Sequence, residues 1–126
     1  MREKPKILIV DDSPELLHAL QIFLEKKSYK VLTVTSDKQL ITALPVFRPD
    51  VIILDVCLNC TLDGRQICKI IKGDNQYKHI PILLMSGAYE RLKDFDECKA
   101  DGIIEKPFNL LLLHDKIEGV LNILAN

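Results

Sequence analysis

Val51-Ile52-Ile53-Leu54-Asp55 is the stretch that decides the fold. Aliphatic residues in an unbroken row, without polar alternation, read as a strand that is apolar on both faces. Such strands lie in the middle of parallel sheets covered by helices on either side. The run ends in a carboxylate, and in open α/β sheets the chemistry sits outside the carboxyl ends of the strands. Two other apolar runs end in polar groups: Ile7-Leu8-Ile9-Val10 in Asp11-Asp12, and Ile80-Pro81-Ile82-Leu83-Leu84-Met85 in Ser86. A further run, Gly102-Ile103-Ile104-Glu105, leads into Lys106-Pro107. Laid side by side, these strands gather carboxylates, a hydroxyl and an ammonium at one edge.

The segments between the runs read as helices. After the first strand, Lys6 to Val10, either Asp12 or Ser13 can cap a helix that Pro14 and Glu15 suit in its first turn. Leu16, Leu17, Leu20, Phe23 and Leu24 form its inward stripe, and it stops near Lys26-Lys27-Ser28. Tyr29 to Thr35 is a second strand. Ser36-Asp37 then opens a weaker helix with Leu40, Leu44 and Phe47 on one face, which Pro45 is expected to end or kink early. Arg48-Pro49-Asp50 turns into the Asp55 strand. Beyond an irregular loop from Val56 to Asp63, a helix from about Arg65 to Lys72 closes at Gly73. A short helix is expected around Tyr89 to Cys98, and Asn109 can cap a last helix from Leu110 to about Leu124. Strand then helix, repeated five times with short connections, requires parallel pairing and right-handed crossovers. The expected fold is a doubly wound, five-stranded parallel α/β sheet with helices on both faces, forming a single domain over residues 1–126.

Composition narrows the function. The 48% hydrophobic and 28% charged content is that of a globular chain, and 17 basic against 18 acidic residues leave a net charge of −1. That balance carries no nucleic-acid preference. No apolar run is long enough for a signal peptide or a membrane span. Four irregularly spaced cysteines do not make a disulfide scaffold, so a reduced, cytoplasmic setting is expected. Cys57-Leu58-Asn59-Cys60 is a C-x-x-C pair, but Cys68 and Cys98 stand singly and do not complete a zinc site. His18, His79 and His114 have no partner spacing.

Asp11-Asp12 and Asp55 together suggest a hard-cation site, since Mg²⁺ takes carboxylate oxygens, waters and a phosphate. Lys106 repels such a cation. It suits instead a phosphoryl oxygen or the free Asp55 carboxylate, and the Ser86 hydroxyl can donate to a phosphoryl oxygen. Nucleophile, metal and charge stabilisers are what phosphoryl transfer to an aspartate needs.

In this order, Asp11-Asp12, Asp55 at a strand tip, Asp63-Gly64, Ser86 and Lys106-Pro107-Phe108 resemble the receiver domain of two-component response regulators, in length the single-domain chemotaxis type. The resemblance implies a flavodoxin-like sheet and a stand-alone receiver. It makes Asp55 the phosphoacceptor, attacking a phosphohistidine on a sensor histidine kinase or a histidine phosphotransfer protein. Asp12, Asp55 and the Cys57 backbone carbonyl would ligate Mg²⁺, with Asp11 assisting through water. Ser86 would be the switch hydroxyl and Lys106 the phosphoryl's ion-pair partner, with a cis Lys106-Pro107 bond. The implied output is a change in binding to a downstream protein, by a monomer or a weak homodimer through the last helices. No nucleic acid, membrane or catalytic turnover beyond its own phosphorylation and dephosphorylation is implied.

The sequence departs from that family at three places. The loop from Asp55 to Asp63-Gly64 is one residue longer than usual, with Asn59 or Cys60 where proline is common. Ile103 stands where the family usually has Tyr or Phe, and the segment from Ser86 to Lys106 is slightly short. Ile103 and the long loop favour an alternative, a receiver-like scaffold that binds partners without a phosphorylation cycle. An aspartate-based phosphatase would want a second Asp where Cys57 stands. Cys57 and Ala88, flanking the site, offer a hydrolytic water no obvious help, so fast self-dephosphorylation is not expected.

Overall fold

The structure, a computed structural model, describes residues 3–56, 63–87, 98–106 and 109–125, with side chains to 122. It contains β1 (Lys6–Val10), α1 (Pro14–Lys26), β2 (Lys30–Val34), α2 (Asp37–Phe47), β3 (Val51–Asp55), α3 (Gly64–Lys72), β4 (Ile82–Ser86), β5 (Gly102–Glu105) and α4 (Leu110–Ala125). The strands form one five-stranded sheet in the order β2-β1-β3-β4-β5, and every adjacent pair is parallel. The apolar run at Val51 is the central strand, and all of its residues are buried.

Parity along each strand divides the core in two, because successive side chains point to opposite faces. Leu8, Val10, Ile52, Leu54, Ile82 and Leu84 pack with Leu40 and Leu44 of α2 and Ile67 and Ile71 of α3. Ile7, Ile9, Val51, Ile53, Leu83 and Met85 pack with Leu17, Leu20 and Leu24 of α1 and Leu113 and Ile117 of α4. The hydroxyl of Tyr29 donates to Glu118, so the turn into β2 is tied to α4. His114 also reaches Glu118 at 3.3 Å and lies edge-on to the Tyr29 and Phe23 rings.

The helix starts show their caps. Ser13 and Ser36 accept from Leu16 N–H and Gln39 N–H, at 3.3 Å and 3.2 Å, and the Asn109 side chain accepts from Leu111 N–H at 2.7 Å. One expectation needs correction. Pro45 does not end α2: the helix continues through it to Phe47. A proline in the last turn forfeits a single backbone hydrogen bond, and Arg48 N–H still bonds to Leu44 C=O at 3.1 Å. The first turn of α4 is exposed. Leu110, Leu111 and Leu112 are exposed, the middle one by 62%, and burial begins at Leu113. The expected helix at Tyr89 to Cys98 and the shortness of its segment fall, apart from Cys98, outside the described residues. No helix among the described residues is long and apolar enough to cross a membrane.

Candidate functional site

In a sheet of this order the connections run one way from β1 to β2 and the other way from β3 to β4. A crevice therefore opens beyond the carboxyl ends of β1 and β3, the usual ligand position in such sheets. The acidic residues occupy both banks of it.

On the β1 bank, Asp11 N–H extends the ladder to Val34 C=O at 3.2 Å. The Asp11 carboxylate is fully buried. One oxygen accepts from Ser13 N–H at 2.8 Å, a side-chain turn that feeds the chain into α1. Ser13 itself is the cap of α1, which leaves Asp12 exposed and outside the capping role. On the β3 bank, Asp55 is buried, in register with Met85, and Val56 N–H continues the pairing to Met85 C=O at 2.9 Å. Gly64 holds this bank in place. A Cβ there would lie 2.3 Å from the Asp55 carbonyl oxygen, so only glycine lets the first residue of α3 press against the Asp55 backbone. Asp63 secures that helix start with a capping box, its Oδ1 accepting from Arg65 N–H and Gln66 N–H while Gln66 Oε1 accepts from Asp63 N–H.

The remaining groups come from the other strand tips. Ser86 ends β4, buried, and its carbonyl accepts from Lys106 N–H at 2.8 Å. That bond aims Lys106 back over the crevice. Its ammonium donates to Asp11 Oδ2 at 2.7 Å and to Asp55 Oδ2 at 3.3 Å, bridging the two banks. Burial alone would lower the Lys106 pKa. The hydrogen bond to Asp11 and the charges of Asp55 and Asp11 outweigh it and hold the ammonium above the usual lysine range.

Carboxylate oxygens of Asp11, Asp12 and Asp55 lie within 4.8 Å of one another. One ammonium against this set leaves the cluster net negative. All-oxygen donors, one of them exposed at the mouth, fit Mg²⁺, which keeps several waters and takes few protein ligands. The structure thus brings together Asp11, Asp12, Asp55 and Lys106, and places Ser86 beside Lys106 through the backbone. The Cys57 carbonyl, Cys60, Ala88, the lengthened loop and the Lys106-Pro107 bond lie outside the described residues.

Two features escaped the sequence reading. One is the reach of Lys106 to Asp11 as well as Asp55, for which spacing offers no signal because the partners are far apart in the chain. The other is the meeting of Cys68 and Cys98, which stand singly in the sequence; the Cys68 thiol lies 3.4 Å from Cys98 C=O.

Residues 7–118 match the family described as the response regulator receiver domain. The chain is 32% identical over 121 residues to the alkaline phosphatase synthesis transcriptional regulatory protein PhoP of Bacillus subtilis, covering 92% of this chain and 48% of that protein. It spans about half the length of the curated relatives first matched. Among solved structures, the receiver domain of a signal transduction histidine kinase from Syntrophus aciditrophicus is 31% identical with a TM-score of 0.84, over 94% of this chain and 90% of that one. The chemotaxis response regulator CheY4 of Vibrio cholerae is 29% identical, also with a TM-score of 0.84, over 94% of this chain and 99% of that one.

Proposed function

Because the chain belongs to the response regulator receiver domain family of two-component signalling, we propose that Asp55 accepts a phosphoryl group from a phosphohistidine. Receiver domains are signalling domains whose own chemistry is confined to gaining and losing that group. The donor is a sensor histidine kinase or a histidine phosphotransfer protein, and the output is altered binding to a downstream protein. The observation that carries this reading is Lys106 bridging Asp11 and Asp55 at the mouth of the β1–β3 crevice.

An Asp55 carboxylate oxygen attacks phosphorus, the bond from phosphorus to the imidazole nitrogen breaks, and the electron pair leaves with the imidazole. Asp55 is held for this by the Gly64 contact behind it and by its place in the central strand. Lys106 exchanges its bond to the free Asp55 oxygen for one to the phosphoryl group, while its bond to Asp11 keeps it in place. The Ser86 hydroxyl donates to a phosphoryl oxygen. Asp12, Asp55 and the Cys57 carbonyl would hold Mg²⁺, with Asp11 assisting through water; the ion supplies neutralisation of the charge spread over the transferring group.

The exposed Leu110–Leu112 step of α4 supports a partner surface or a weak homodimer there. Incubation with Mg²⁺ and acetyl phosphate, read by intact mass, should add one phosphoryl group. The addition should vanish in Asp55→Asn and with a chelator. No addition, or one that survives Asp55→Asn, would sink the proposal. The second reading, partner binding without a phosphorylation cycle, draws on Ile103, which packs against the α2–α3 core and has no ring to swing inward. The same assay decides between them.

A further inference from the structure

A hollow of about 380 Å³ opens where α2 ends and the chain returns from α3 toward β4. It lies at the amino ends of β3 and β4, so the length of β3 separates it from Asp55. Leu44, Pro49 and Ile80, all buried, form an apolar floor. Arg48, Tyr77 and His79 line the same hollow, and no hydrogen bond or ion pair to another described residue engages their side chains. Arg48 is set at the rim by an unusual backbone. As the residue that ends α2 it takes φ 53 and ψ 65, its N–H bonding to Leu44 C=O at 3.1 Å. Helix ends of this kind ordinarily use glycine, and a following proline crowds the backbone further. Two features weigh against an anion here, the Asp50 carboxylate and the carboxyl end of α2. Asp50 is already engaged, its Oδ2 accepting from Lys6 N–H at 2.7 Å. The guanidinium, able to hold a carboxylate by two parallel bonds, is the strongest recognition group in the hollow.

We propose that this hollow binds a small aromatic carboxylate, a flat apolar body carrying one negative charge. An apolar floor with a few polar groups around it, in a volume of this order, is the build of a small-molecule site. The ligand's ring system covers Leu44, Pro49 and Ile80, and the half-buried Tyr77 ring, itself packed against the α2–α3 core, offers a flat neighbour. Its carboxylate accepts from the Arg48 guanidinium, with the Tyr77 hydroxyl and a His79 ring N–H as the other donors the hollow contains. Water leaving the floor supplies most of the affinity, while Arg48 supplies the preference for an acid over its neutral counterpart. None of these residues belongs to the crevice that holds Asp11, Asp12, Asp55 and Lys106. Occupancy is therefore independent of the phosphoryl chemistry. It fastens the end of α2 to the connection between α3 and β4, and by binding the folded chain alone it adds to stability.

The test titrates the full, isotope-labelled chain with 2-naphthoate and, separately, with neutral 2-naphthalenemethanol, following backbone amide resonances. The acid should give saturable shifts grouped at Leu44, Arg48, Tyr77, His79 and Ile80, with a Kd of about 1 mM for a ligand of this size. The alcohol should bind about tenfold more weakly. In Arg48→Gly, where the new residue suits the left-handed backbone, the fold should be kept and the affinity for naphthoate should fall to that of the alcohol. Asp55→Asn should bind naphthoate as the wild type does. No saturation at about ten times the expected Kd overturns the proposal. So do shifts centred away from the hollow, equal binding of acid and alcohol, or undiminished binding by Arg48→Gly. Should that variant lose its circular dichroism, the comparison of acid with alcohol on the wild type decides.

Discussion

Lys106 is both a structural cation and the expected partner of an incoming anion. Its ammonium offsets two carboxylates that would otherwise repel across the crevice, one of them the fully buried Asp11. Removing one partner of a fully buried pair costs roughly 3–5 kcal/mol. Here the lysine side chain keeps 24% of its exposure, so Lys106→Met should cost less, about 2 kcal/mol, in a urea titration at neutral pH. The pH dependence has a definite sign. A lysine whose pKa is raised on folding stabilises fully at pH below its unfolded value, and that contribution is lost as pH rises through the folded value. The wild type should therefore lose stability in the alkaline range above ordinary lysine titration, and the variant should lack that part of the decline. Residue roles were only partly legible in the sequence. Asp12 and Ser13 were equal candidates for the cap, and the choice of Ser13 rests on the turn that Asp11 makes with Ser13 N–H, a geometry that no spacing encodes.

Among the elements, α3 has the most direct bearing on the site, because its first residue presses on the Asp55 backbone. The capping box at Asp63 fixes where that helix begins. Asp63→Ala removes the acceptor for two backbone N–H groups and should cost about 1 kcal/mol in thermal or urea unfolding. Burial alone would raise the Asp63 pKa, but bonds from Gln66 and Arg65 outweigh it and hold the carboxyl low. Its contribution is present above the unfolded value and lost as pH falls through the lowered one, so the penalty of Asp63→Ala should shrink in acid. Element ends were the least legible part of the sequence. Pro45 signals a stop by local chemistry, yet Leu40 and Leu44 bury against the sheet and the helix runs on to Phe47. Gly73 closes α3 as expected, but at φ −86, while Ser28, Arg48 and Lys99 take the left-handed conformations.

For the molecule as a whole, the unbroken apolar runs were enough to read a parallel sheet, since only strands covered on both faces need them. Asp11, Asp12, Asp55 and Lys106 were legible as a cluster for the same reason: strand tips share an edge whatever their separation in sequence. What was not legible were contacts between helices and loops, such as Cys68 with Cys98 or Tyr29 with Glu118, which depend on packing distances. The two-faced core makes α4 an integral part of the fold, because Leu113 and Ile117 are fully buried against the β1–β3–β4 face. Ile117→Ala should cost about 2–5 kcal/mol, with circular dichroism and phosphorylation capacity falling at one shared urea midpoint. Separate midpoints would show that α4 unfolds on its own.

The bridge from Lys106 to Asp11 spans 95 positions. A chain growing on the ribosome holds every acidic member of the cluster long before its lysine is made. Until β5 has emerged and docked at the edge of the sheet, Lys106 cannot offset the carboxylates of Asp11 and Asp55, and the proposed phosphoryl site lacks its cation. On the proposed chemistry a half-made chain should therefore be a poor acceptor: β5 completes the circuit, and competence to receive a signal should arrive together with the five-stranded sheet.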